Sequence, residues 1–107
     1  MVEFSYFFER IEALEILEEG YGPAIPINEL IISKKANKQL AKNPTLKRVF
    51  TTATTFNAQL LNIVTGYGAY SFAIGSLRGL GSRSEDFKYT LNWIGTHEEY
   101  NKEKSKK

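Results

Sequence analysis

Between Val49 and Leu77 the chain has no Asp, Glu, Lys, Arg or His, a run of 29 residues in a 107-residue sequence that is 24% charged overall. Ionisable side chains are left out where their desolvation would go uncompensated, so water is expected to reach little of this stretch in the working state. Its periodicity points to a helix. Leu46, Val49, Ala53, Phe56, Leu60, Ile63, Tyr67, Tyr70, Ile74 and Leu77 follow one another at steps of three and four. Its composition points to strands. Val49–Phe56 is β-branched and aromatic, Leu60–Thr65 could pair with Ala69–Leu77 across Gly66–Gly68, and Phe87, Tyr89, Leu91 and Trp93 alternate with polar residues.

Propensity is worth a few tenths of a kcal/mol per residue, whereas each large side chain buried along a seam contributes about 1.5–3 kcal/mol. The seam therefore predicts a long central helix, broken if anywhere near Gly66–Gly68. At 1.5 Å per residue the helix from Leu46 to Leu77 would be about 48 Å long, too long to bury its own seam in so small a chain. It has to fold back, break or meet other subunits. Ser71, Gly75 and Gly79 recur every four residues, a spacing that lets helix backbones approach closely.

The flanks are charged with opposite sign. Residues 1–20 carry six glutamates against Arg10, net −5, and place Phe4, Phe7, Phe8, Ile11, Leu14 and Leu17 on one face of an amphipathic helix that Gly20 would end. Residues 21–48 carry six cations against Glu29, net +5. A basic helix capped by Asn28 or by Ser33 is expected to run to about Lys42, and Asn43–Pro44 supplies a cap and a first-turn proline for whatever follows. Within residues 78–107, Ser82 with Glu85 and Thr96 with Glu99 both have capping-box spacing, and Phe87, Leu91 and Ile94 share a helical face. The fold class expected is mainly α, one domain over 1–107: an acidic helix (1–20), a linker and basic helix (21–48), an uncharged packing segment (49–77), then a C-terminal helix and polar tail (78–107). The alternative is α+β, with an antiparallel meander from about 47 to 94.

Chemistry is sparsely encoded. His97 is the only histidine and there is no cysteine, so a metal centre or an activated nucleophile would have to be built from carboxylates alone. The glutamate pairs Glu18–Glu19 and Glu98–Glu99 sit in polar patterns without the apolar surroundings that acid catalysis by a carboxyl group needs. Gly75–Gly81 has neither the Gly-Lys-Ser/Thr ending nor the Gly-x-Gly-x-x-Gly spacing of a phosphate loop. No catalytic, metal or cofactor site is expected. Six cations between Lys34 and Arg48 could meet phosphates. However, no aromatic lies among them to stack on bases, and the acidic first segment would repel the same ligand, so nucleic acid ranks below protein subunits as a partner.

Met1 is followed by an acidic amphipathic stretch, which does not read as a signal peptide. The uncharged run is long enough for a bilayer, and its basic flanks would keep the N-terminal side cytoplasmic, but Asn57, Gln59 and Asn62 suit a packed helix better than a lipid-exposed one. The function expected is that of a non-catalytic structural subunit in a membrane complex, virion or filament, as a homo- or hetero-oligomer. Its packing contacts would be made by Phe56, Leu60, Ile63, Tyr67, Tyr70, Ile74 and Gly75. The alternative is an α+β binding domain that uses an aromatic sheet face for a protein or small ligand.

Overall fold

The computed structural model describes residues 20–105, so the acidic helix expected over the first twenty residues lies, except for Gly20, outside the described residues. The rest overturns the mainly α reading. Six strands form one sheet: β1 (Ile25–Pro26), β2 (Leu30–Ile32), β3 (Thr55–Thr65), β4 (Gly68–Ile74), β5 (Leu77–Arg83) and β6 (Tyr89–Thr96), in the order β1-β3-β4-β5-β6-β2. Strands β3 to β6 are the antiparallel meander of the alternative reading. Only a 3-10 turn, Ile27–Glu29, separates β1 on one edge from β2 on the other, where β2 runs parallel to β6. The sheet therefore curls until one short chain segment bridges its two edges, close to a barrel.

The expected central helix fails because its seam coincides with a period-two pattern. Phe56 and Ala58 on β3 and Tyr70, Phe72 and Ile74 on β4 all pack into one concave core. Between Leu60↔Tyr70 and Thr65↔Gly68, four residues of β3 oppose one of β4, a bulge that breaks the alternation. The glycines that would each cost a helix about 1 kcal/mol instead serve turns. Gly75, at φ +58, opens the two-residue turn that joins Ile74 to its partner Leu77, a position where only a residue without Cβ is unstrained. The four-residue row Ser71, Gly75, Gly79 is thus no helix contact; it runs from β4 through a turn to β5.

Two helices cover the core. Helix α1 (Lys34–Lys42) starts at Ser33, whose side chain accepts from the Ala36 amide at 3.2 Å, so the second of the two expected caps is used. Helix α2 (Pro44–Thr52) starts at Asn43, which accepts from the Leu46 amide at 3.2 Å, with Pro44 in the first turn. Ala36, Leu40 and Leu46 are buried against Phe56, Phe72, Ile74, Leu77, Leu91 and Ile94. Strand β2 pairs with β6 only as far as Leu91, and the Gln39 side chain then takes over. It donates to the Ile94 carbonyl at 3.1 Å and accepts from the Ile94 amide at 3.0 Å, acting as one extra strand residue on that edge.

On β6 a second bulge sets Leu80 opposite Trp93 but Gly81 opposite Leu91. Leu91 and Ile94 both reach the concave core in spite of their spacing of three, which is why they also fit a helical face. Residues 82–94 are accordingly loop and strand where a capped helix was expected. Trp93 lies on the convex side with Leu80 and Tyr100, the buried residue of α3 (His97–Lys104). Thr96 and Glu99 close the expected capping box: the Glu99 amide donates to the Thr96 hydroxyl at 3.2 Å, and the Thr96 amide donates to the Glu99 carboxylate at 2.9 Å. Thr96→Ala removes this cap and is expected to cost about 1 kcal/mol, read as a lower urea midpoint at unchanged m.

Candidate functional site

The uncharged stretch is not uniformly dry. Phe56, Ser71, Phe72 and Ile74 are fully buried, whereas Leu60 and Val64 on the β3 bulge are 63% and 76% exposed. The seven residues expected to form one packing seam are thereby dispersed. Phe56 and Ile74 belong to the core, Leu60 and Ile63 face solvent, Tyr67 and Tyr70 are half-buried, and Gly75 is an exposed turn. No helix among the described residues is long and apolar enough to cross a membrane.

What the fold does assemble is an aromatic row on the concave face. Phe56 and Phe72 meet edge to face at 5.7 Å, Tyr89 stands edge to face with both at 5.8 Å, and Tyr70 with Tyr89 at 5.6 Å. Each such pair contributes about 0.5–1.5 kcal/mol beyond area burial. The two phenylalanines are sealed in, while the two tyrosines come out at the rim, near the start of β4 and at the first residue of β6. Leu60 sits opposite Tyr70 across β3 and β4, and Arg83, the last residue of β5, sits opposite Tyr89.

Arg83 organises the rim. Its guanidinium is 5.5 Å from the centre of the Tyr70 ring and 4.9 Å from that of Phe87. Cation–ring contacts at exposed sites are worth about 0.5–1 kcal/mol, enough to orient the side chain but not to neutralise it. Phe87 is 71% exposed and has φ +63, a left-handed conformation that a bulky residue adopts only under constraint. The β5–β6 loop supplies the constraint. The Ser84 amide donates to the Lys88 carbonyl at 2.8 Å, and the Phe87 amide donates to the Ser84 carbonyl at 3.0 Å. The Ser84 hydroxyl also bonds the Asp86 carboxylate, holding that exposed carboxyl below its ordinary range. Phe87 is therefore a solvent-facing aromatic ring on a pinned loop, an arrangement associated with stored strain at functional positions.

The surrounding charge is mainly basic, although the β5–β6 loop adds the exposed carboxylates of Glu85 and Asp86, the latter 3.8 Å from the Lys88 ammonium. From Leu30 to Ser84 there is no Asp or Glu, and Lys34, Lys35, Lys38, Lys42, Lys47, Arg48 and Arg83 are all exposed. Lys35, at the start of α1, lies 4.2 Å from the centre of the Tyr67 ring, and the Asn92 side chain donates to the Tyr67 carbonyl at 2.8 Å. The basic helix and the β3–β4 turn are thus joined, and the rings missing from the Lys34–Arg48 segment are supplied by other strands. Arg83, Phe87 and Tyr89 lie beyond the uncharged window and are not among the seven expected packing residues, although Phe87 and Tyr89 fall within the meander of the alternative reading. The 55-residue absence of carboxylates is the sequence signal that reaches Arg83.

The convex face holds a different kind of cluster. Tyr21 is buried, its hydroxyl bonded to that of Ser71, with the Arg78 guanidinium 5.9 Å from its ring centre. Arg78 donates to the carbonyls of Gly75 and Leu77 at 2.9 and 2.8 Å, so this cation is committed to the β4–β5 turn. Burial pushes the Tyr21 phenol well above its ordinary value of 10.0. A folded-state value raised above the unfolded one contributes stability that is present below pH 10.0 and is lost as the pH rises beyond it. Tyr21→Phe is expected to flatten that alkaline loss, measured by urea unfolding on either side of the ordinary phenol value.

Three or more His, Asp and Glu side chains do not converge on a metal-sized site among the described residues. Comparison of the chain with protein-family models, with curated proteins and with solved structures returns no match.

Proposed function

We propose that this protein is a binding domain whose aromatic and cationic sheet rim, formed by Leu60, Tyr70, Arg83, Phe87 and Tyr89, receives an anionic ligand that also presents flat rings, namely a single-stranded nucleic acid. The observation that carries this is the Arg83 guanidinium set between the rings of Tyr70 and Phe87. A phosphate can meet the cation while a base stacks on the adjoining ring, a combination that tolerates sequence because every base has a flat face. The stretch from Leu30 to Ser84, which has no Asp or Glu in the sequence, supports it, since its six exposed helical cations could meet further phosphates. The role as a building block that packs through a central helix is not retained, because that helix does not exist. Recognition through an aromatic sheet face is retained.

The test is fluorescence anisotropy with a labelled 12-nucleotide oligouridine at two salt concentrations. Binding should weaken steeply with salt. Phe87→Ala should lose about 1–3 kcal/mol, roughly 5- to 150-fold in Kd, with the salt slope unchanged. Arg83→Ala should lower affinity and also reduce the log–log salt slope by about 0.7, the contribution of one single-strand phosphate contact. Salt-independent binding, or equal affinity of both variants and the parent, would reject the nucleic-acid reading. The non-catalytic role is part of the same proposal: the oligonucleotide should be recovered at full length, and shortened products would replace binding by cleavage.

A further inference from the structure

One part of the uncharged run is not accounted for by the protein's own core. Phe56, Phe72, Ile74 and Leu77 are interior residues, but between Leu60 and Gly66 only Leu61 and Thr65 are sheltered, while Leu60, Asn62, Ile63, Val64 and Gly66 are exposed. Val64, at 76%, is the most exposed large apolar side chain among the described residues. The nearest charged residues along the chain are Arg48 and Arg78. Apolar side chains grouped at the end of a hairpin, with no charge among them, mark a surface that leaves water when the protein works.

The neighbouring charge indicates what it meets. Gly66 and Tyr67 form the turn between β3 and β4, and the Lys35 ammonium lies 4.2 Å from the centre of the Tyr67 ring. From Lys35 the exposed cations Lys38 and Lys42 follow at steps of three and four, so one face of α1 carries a row of ammonium groups that begins at the hairpin end. Helix α1 and strands β3 and β4 contain no Asp or Glu. The carboxylates among the described residues stand on other elements: Glu29 before β2, Glu85 and Asp86 in the β5–β6 loop, and Glu98, Glu99 and Glu103 on α3. Asp86 is paired with Lys88 at 3.8 Å, and Glu99 is held in its capping box. An anionic bilayer answers each part of this arrangement. Its acyl boundary takes apolar side chains, tyrosine favours the headgroup level, and lysines are drawn to the lipid phosphates. A hairpin end, unlike a groove, fits a medium that yields around it.

We propose that the β3–β4 hairpin end docks on an anionic lipid bilayer, with Ile63 and Val64 entering the acyl boundary, Tyr67 at headgroup level and Lys35, Lys38 and Lys42 on the lipid phosphates. The insertion is shallow. The bulge leaves Leu61–Val64 without one-to-one partners on β4, and backbone groups outside a regular ladder have to stay among hydrated headgroups. This membrane contact goes beyond the nucleic-acid reading of the rim and does not rest on it.

Co-sedimentation of the full chain with vesicles tests it. Vesicles of phosphatidylcholine with about one-third phosphatidylglycerol should bind the protein about tenfold more strongly than phosphatidylcholine alone. Ile63→Asp with Val64→Asp should weaken binding to the mixed vesicles about tenfold or more, and Lys38→Gln with Lys42→Gln about fivefold for each lysine removed. Val64→Trp should bind about threefold more tightly or better, because indole favours the interface. Nothing lies within 4 Å of a Cβ at Gly66 and the chain has no cysteine, so Gly66→Cys carries a single polarity-sensitive dye. Its emission should shift to the blue on the mixed vesicles, and the same dye at Ser105→Cys should not shift. Failure to bind the mixed vesicles, equal binding to neutral ones, parent-like binding of the aspartate variant or an unshifted dye at position 66 would overturn the proposal. So would a lysine variant that loses oligouridine yet binds vesicles as the parent does, which would assign the row to nucleic acid.

Discussion

Phe72→Ala is expected to remove about 3–5 kcal/mol of stability, a large part of the roughly 5–15 kcal/mol available to a domain of this size. Phe72 is fully buried and meets both Phe56 and Tyr89 edge to face. Truncation removes two ring contacts and leaves a cavity between strands that hydrogen bonding holds in place, so relaxation fills little of it. Urea unfolding followed by tryptophan fluorescence reads the change, since Trp93 is the only tryptophan. A loss under about 1 kcal/mol would mean that Phe72 does not face a packed interior, and the concave core would have to be redrawn.

Gly81→Ala is expected to be as damaging for the opposite reason. A Cβ there would lie 1.9 Å from the Thr90 carbonyl oxygen and 2.6 Å from the Phe72 ring. Neither can yield by a rotamer change alone, because one is backbone in the paired strand and the other is sealed in the core. Strands β5 and β6 would have to separate, at a cost of about 3 kcal/mol or more. Gly66→Ala is the control. Nothing lies within 4 Å of a Cβ at that position, so the substitution should change stability by no more than about 0.5 kcal/mol. The pair also probes curvature, because the glycines on the concave side of β5 make room for the Phe72 and Leu91 side chains of neighbouring strands.

The helix starts were legible because their signals are local. Ser33, Asn43 with Pro44, and Thr96 with Glu99 each declare a cap within three or four residues, and each cap forms. The meander was masked by its own irregularities. Leu46 and Val49 belong to a helix, and Phe56, Leu60, Tyr70 and Ile74 to strands. A four-residue bulge falls between Leu60 and Thr65, so apolar positions from different elements line up at steps of three and four. No single two-residue alternation spans 46–77 for the same reason, since Arg48, Phe50 and Thr52 are helical and Asn62 lies in the bulge. Burial of the seam does not select the helix, because the meander buries Phe56, Phe72, Ile74 and Leu77 equally well and seats Gly75 where its positive φ is useful.

The site was half legible. Leu60 and Tyr70 were singled out for their apolar spacing and lie at the rim, while Phe56 and Ile74 support it from within. Arg83, Phe87 and Tyr89 depend on the register of β5 and β6 and on a loop that turns Phe87 outward, features set by pairing between distant residues. Composition carried a hint that window sums hid. Dividing the chain at Arg48 and Leu77 separated the six helical cations from Arg78 and Arg83, although no carboxylate intervenes.

Titration of 15N-labelled full-length protein with the 12-nucleotide oligouridine, followed by amide chemical shifts, tests the central claim most directly. Shifts concentrated at Leu60, Tyr70, Arg83, Phe87 and Tyr89, with smaller ones along Lys34–Arg48, are the expected result. Shifts confined to His97–Lys104 or to the convex face around Tyr21, or none at saturating oligonucleotide, would contradict it.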